Sequence, residues 1–86
     1  MLTPAQCRAA RALIGWSQPQ LSAACGAGVS TIRDFETGKR TPIANNLTAI
    51  RAALEAAGVI FVAENGEGPG VRLRKAASTE TDTLSK

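Results

Sequence analysis

The sequence predicts a mainly α domain, four short helices followed by a C-terminal β-hairpin. Three observations carry that expectation. Alanine-rich segments repeat apolar residues at three- and four-residue intervals as far as about residue 57. Capping residues, prolines and glycines punctuate them at helix-length spacing. Only beyond Gly58 does a β-branched and aromatic run, Val59-Ile60-Phe61-Val62, replace the helical period. The chain has 86 residues and three aromatics, Trp16, Phe35 and Phe61, which suits one small domain of closely packed helices.

The first helix opens at Thr3-Pro4-Ala5-Gln6, where Thr3 can cap, Pro4 suits the first helical position and Gln6 completes a capping box. It runs to about Ile14 and stops at Gly15, with Cys7, Ala10, Arg11 and Ile14 on one face. Arg11 is the odd member of that face. Ser17-Gln18-Pro19-Gln20 repeats the device for a second helix over about 18–25, with Leu21, Ala24 and Cys25 available to pack and Gly26 as its end. A third helix over about 29–37 starts after Gly28 and closes at Gly38. Ile32 and Phe35 point inward, leaving Ser30, Arg33, Asp34 and Thr37 on the opposite face. Lys39-Arg40-Thr41-Pro42 is an exposed basic loop. The fourth helix, about 44–57, has Leu47, Ile50, Ala53, Leu54 and Ala57 as its core stripe.

Val59–Val62, the turn-rich Asn65–Gly70 and the alternating Val71-Arg72-Leu73-Arg74 then read as a hairpin. Alternation makes Arg72 and Arg74 the solvent face of a strand. Two strands alone are marginal in water, so the hairpin has to pack on the helices or pair with a second copy. The expected organisation is a helical domain over 1–58, a hairpin extension and candidate dimerisation element over 59–75, and a disordered polar tail over 76–86.

The net charge is +3, with a sequence pI of about 9.4. Residues 1–40 hold Arg8, Arg11, Arg33, Lys39 and Arg40 against Asp34 and Glu36, a basic half that suits a polyanionic partner. Two cysteines, Cys7 and Cys25, and no histidine exclude a zinc site and point to free, packed thiols in a reducing compartment. The N-terminus lacks a signal-peptide pattern and no apolar run approaches the roughly 20 residues of a membrane span, so a cytoplasmic protein is expected.

The glycines around Cys25–Pro42 invite a nucleotide-loop reading, which fails on spacing. Gly38-Lys39 is followed by Arg40 rather than Ser or Thr, and the position five before Gly38 is Arg33. A dinucleotide fingerprint needs glycine where Thr31 stands, and no strand precedes Gly26. Without histidine there is no triad of the usual kind, and Asp34 and Glu36 lie on different helical faces. Neither an enzyme nor a cofactor is implied.

Two short helices joined by a tight glycine-containing turn form a helix-turn-helix unit, whose second helix presents a polar face to a major groove. Here the stretch "ALIGWSQPQLSAACGAGVSTIRDFETGKRTP" (residues 12–42) resembles the Cro and phage-repressor-like (XRE-type, lambda-repressor-like) DNA-binding domains, and the likeness covers most of residues 3–57. The segment "AIRAALEAAGVIFVAENGEGPGVRLRK" also resembles a tail of small bacterial members.

The resemblance implies a lambda-repressor-like four-helix fold and a DNA partner. It makes Gln18 a phosphate contact that also braces a recognition-helix side chain. Val29, Ser30 and Thr31 open the recognition helix, with Asp34 base-facing one turn on and Arg33 beside it. Thr37, Lys39 and Arg40 match the loop that grips the DNA backbone, and Arg11 and Glu36 match an ion pair tying the first helix to the third. The sequence departs from the pattern at Gly28, where serine is usual, at Val29, which can meet only a thymine methyl, and at the acidic Asp34. A sequence-specific regulator of double-stranded DNA, a repressor acting as a homodimer, is the expected function. An antitoxin that binds a toxin and represses its own operon is the alternative.

Overall fold

The computed structural model describes residues 2–64 and 66–74. The tail expected to be disordered lies outside them. The element order is α1 (Pro4–Ile14), α2 (Gln18–Cys25), α3 (Val29–Glu36), α4 (Ala44–Ala56), β1 (Val59–Val62) and β2 (Gly70–Leu73). The fold is therefore four helices with a short antiparallel hairpin, as the patterning predicts. The third and fourth helices each end one residue earlier than expected, with Thr37 and Ala57 as their C-caps.

Local chemistry sets the first two helices. Both capping boxes form: Thr3 Oγ1 accepts from the Gln6 N–H at 3.1 Å while Gln6 Oε1 accepts from the Thr3 N–H at 3.0 Å, and Ser17 and Gln20 repeat the exchange. Gly26 ends α2 with φ at 82°, a left-handed conformation that only glycine adopts without steric cost. The turn is then pinned from within. The Ser22 hydroxyl donates to the Ala27 carbonyl at 2.6 Å, the Ala27 N–H points at Cys25 Sγ, and Ala27 itself is buried.

The core is continuous through Leu2, Cys7, Ala10, Leu21, Ala27, Ile32, Phe35, Leu47, Ile50, Leu54 and Val59. Each fully buried large apolar side chain contributes about 1.5–3 kcal/mol, which holds helices too short to persist alone. Trp16 packs against this core from its rim. Ala24 does not pack and is exposed. Leu21 and Cys25, four apart, form the inward face of α2 and rotate Ala24 to its side.

The hairpin packs on the helices, with α1 against both strands and α4 against β1. Val59 lies opposite Leu73 and Phe61 opposite Val71; Val59, Phe61 and Val71 pack on the helical core, while Leu73 stays exposed. Gln6 is missing from the sequence-based core, yet it is buried and its Nε2 donates to the Gly70 carbonyl at 3.0 Å. Arg51 lies over the Phe61 ring, 5.1 Å from its centroid. Arg72 and Arg74 are exposed. Among the described residues, no helix is long and apolar enough to cross a membrane.

Candidate nucleic-acid interface

Helix α3 is placed by what lies behind it. Ile32 and Phe35 enter the core, and Glu36, its last residue, is buried with 2% of its side chain exposed. A buried carboxylate has to be satisfied, and four donors do so. Arg11 reaches it with Nε at 2.7 Å and Nη2 at 2.6 Å, Gln18 Nε2 at 3.0 Å and Cys7 Sγ at 3.2 Å. Arg11 Nη1 also donates to the Trp16 carbonyl at 3.0 Å, and Arg8 donates to the Glu36 carbonyl. Three residues of α1 and one of α2 thus converge on the end of α3.

The electrostatics follow. Burial pushes the Glu36 carboxyl up, but hydrogen bonds from Arg11, Gln18 and Cys7, together with the Arg11 charge, outweigh burial and hold it below its ordinary value. Burial, reinforced by the bond to Glu36 and its charge, pushes the Cys7 thiol up, so it is a neutral donor. The Glu36 hydrogen bond raises Arg11 further.

The front of α3 is open. Gly28 occupies the N-cap position and no side chain caps this end, so its first N–H groups point outward unpartnered by a side chain. Val29 is 37% exposed and Ser30 is exposed, whereas Thr31 is half-buried. One turn on, Arg33 is exposed and its Nε lies 3.9 Å from Asp34 Oδ1. The Asp34 carbonyl accepts from the N–H groups of Lys39 at 2.8 Å and Arg40 at 3.2 Å, folding the basic loop back beside the helix. Ser30, Thr31, Asp34, Arg40 and Pro42 line one shallow cleft.

Most of the residues singled out from sequence therefore share one surface: Val29, Ser30, Thr31, Arg33, Asp34, Lys39 and Arg40. Two sit differently. Gln18 turns its amide to Glu36, at the back of α3. The Thr37 hydroxyl donates into its own helix, to the carbonyls of Arg33 at 3.1 Å and Asp34 at 3.2 Å. Sequence reasoning missed Cys7 and Arg8 as supports of α3, and Pro42 as a wall of the cleft. It also missed Ile43, which follows Pro42 and is 69% exposed. Cys7 carries a signal in retrospect, lying one turn before Arg11 on the face that meets α3.

A helix-turn-helix family model matches residues 8–57, a span that takes in α1 from Arg8 and all of α2, α3 and α4. None of the curated proteins compared matches the chain.

Proposed function

The chain belongs to the Cro and phage-repressor-like (XRE-type) helix-turn-helix family of DNA-binding transcription regulators, and we propose that it is a sequence-specific, homodimeric repressor acting on double-stranded DNA in the cytoplasm. The observation that supports this reading is the uncapped N-terminus of α3 with its open face, flanked by the exposed cations of Lys39 and Arg40 and backed by the buried Glu36. In the proposed complex, α3 enters the major groove. Lys39, Arg40 and the N-terminal amides of α3 meet phosphates and supply most of the affinity. Arg33 reads guanine, Ser30 a neighbouring base edge, Val29 a thymine methyl, and Asp34 accepts from cytosine N4 or orients Arg33. Gln18 braces the assembly through Glu36.

An eight-residue helix contacts too few base pairs to be specific alone. Two copies with recognition helices about 34 Å apart double the site. Residues 59–75 are the proposed dimerisation element. Selection of bound sequences from random DNA tests the reading: a two-fold symmetric motif with half-sites one helical turn apart is the expected outcome, and no enrichment refutes it. Arg33→Ala should cost roughly 5–100-fold in affinity and relax one position of that motif. Arg40→Ala should weaken binding about equally on all sequences. The alternative, an antitoxin, needs a toxin-docking surface apart from α3, and the hairpin, which packs on α1 and α4, is the candidate. Co-purification of a small partner that binds without displacing DNA would support it.

A further inference from the structure

Strand β2 ends in an open edge beside an apolar groove. The Arg74 N–H donates to the Gly58 carbonyl, and these residues are directly opposed in the register that pairs Val59 with Leu73. In an antiparallel pair, hydrogen-bonded positions alternate. Residues 70, 72 and 74 therefore face β1, while the N–H and C=O groups of Val71 and Leu73 point away from it. Among the described residues, no other strand pairs with β2 on that side. The groove alongside is lined by Thr3, Ala5, Gln6, Ala9, Pro69 and Val71, among others. Leu73 shares the helix-facing side of β2 with Val71 and is 51% exposed.

We propose that this edge is the homodimer interface: β2 pairs antiparallel with β2 of a second copy about a two-fold axis at Val71, and each Leu73 enters the α1–β2 groove of the other copy. This rests on the homodimeric reading above and specifies its geometry. Three features select a second copy. First, centring on Val71 sets Leu73 against Pro69 of the other copy, so the knob and the groove wall that receives it meet twice by symmetry. Proline lacks an N–H, so only its carbonyl is needed there. Second, Arg72 falls opposite Gly70, and no two arginines are directly opposed. Third, antiparallel pairing lays the basic end of β2 along the acidic turn of the other copy, an attraction of net charge rather than of direct pairs: Arg72 is exposed, Arg74 Nη2 donates to its own Glu55 carbonyl at 3.1 Å, and Glu64 accepts from the N–H groups of Gly66 and Gly68 in its own turn. Strand β1, the other edge, offers no such charge match.

Sedimentation of the full chain, with disulfide cross-linking, tests the proposal. Wild type should be dimeric, and Leu73→Glu should raise the dimer dissociation constant about thirtyfold or more with an unchanged circular dichroism spectrum. The double variant Gly70→Cys/Arg72→Cys should form a covalent dimer under mild oxidation that wild type does not. Positions 72 and 70 of the two copies are the non-hydrogen-bonded pairs of this seam, with Cα atoms about 4.5 Å apart and side chains close, within the roughly 4.4–6.8 Å disulfide range, and a Cβ at position 70 meets only Val62 Cβ, at 4.0 Å. If Leu73→Glu does not fold, the cross-link decides alone. A dimeric wild type whose Leu73→Glu variant stays dimeric, or whose Gly70→Cys/Arg72→Cys variant fails to cross-link, overturns this edge and leaves the homodimer standing. A wild type that is monomeric both free and on its selected DNA overturns the homodimer and this interface together.

Discussion

Substituting Arg11 with methionine should be the most damaging single change short of a large core truncation. Arg11→Met removes two charge-assisted bonds to Glu36, at 2.6 and 2.7 Å, and a third to the Trp16 carbonyl. Only the neutral donors of Gln18 and Cys7 then remain on a buried carboxylate. Stripping a buried ion of its partner costs roughly 3–5 kcal/mol. A domain of 86 residues has about 4–13 kcal/mol of stability in all. At about 4–8 °C per kcal/mol for this size, Tm should fall by about 12–40 °C, read by circular dichroism with urea melts for ΔG.

The pH dependence should also change sign. In wild type the Glu36 carboxyl lies below its ordinary value. Its contribution is complete above the unfolded pKa of about 4.3 and is lost as pH falls through the lower folded value. In Arg11→Met, burial outweighs the remaining donors and raises the folded pKa above the unfolded one. The folded state then binds the extra proton, so the variant should be more stable at pH 5 than at pH 7. A loss under about 1 kcal/mol, or a variant that gains stability from pH 5 to 7, would refute the view that Arg11 is what keeps Glu36 ionised. The double variant Arg11→Met/Glu36→Leu should recover part of the loss, since it leaves no buried charge unpaired.

Three further outcomes are expected. Gly28→Ser should stabilise by a few tenths of a kcal/mol in urea melts, because it adds the missing cap and a Cβ there meets only Thr31 Oγ1, at 3.8 Å. Log affinity for a selected operator should fall with log salt at a slope of about −5, corresponding to roughly six phosphate contacts per dimer, and a slope near zero on titration would remove the electrostatic account. An aromatic disulfide reagent should modify Cys25 in the folded protein and Cys7 only at the rate of unfolding, because Cys7 is buried and its thiol is held neutral; two thiols reacting at one fast rate would contradict that packing.

The helices were legible because their signals are local. A Ser or Thr cap with Gln three residues on involves a single turn of backbone, and Thr3/Gln6 and Ser17/Gln20 form as that pattern predicts. The change of period after Gly58 likewise marks β1. What periodicity could not carry was the partner of each polar group. Gln6 reads as a cap residue alone, but its amide also holds Gly70, 64 positions away. Cys7 reads as a small apolar residue, but it is one of four donors to a buried carboxylate. Ile43 lies in register with the apolar stripe of Leu47, Ile50 and Leu54 and is nonetheless exposed, because it caps α4 from outside its first turn. Among the interface residues, spacing placed Ser30 and Arg33 on one face of a helix. It could not show that the Thr37 hydroxyl turns back into that helix.

The arrangement separates positioning from reading. Helix α3 has eight residues and no capping side chain at its start, too little to hold its own shape in water. Its orientation must be imposed from behind, by Ile32 and Phe35 in the core and by the convergence of α1 and α2 on Glu36. The side-chain donors to Glu36 come from Cys7, Arg11 and Gln18, and not from Val29, Ser30 or Arg33 on the open face. Substitutions there should change which DNA is chosen while leaving stability within about 0.5 kcal/mol. Substitutions at Cys7, Arg11, Gln18 or Glu36 should weaken binding to every sequence alike, through loss of the helix that does the reading.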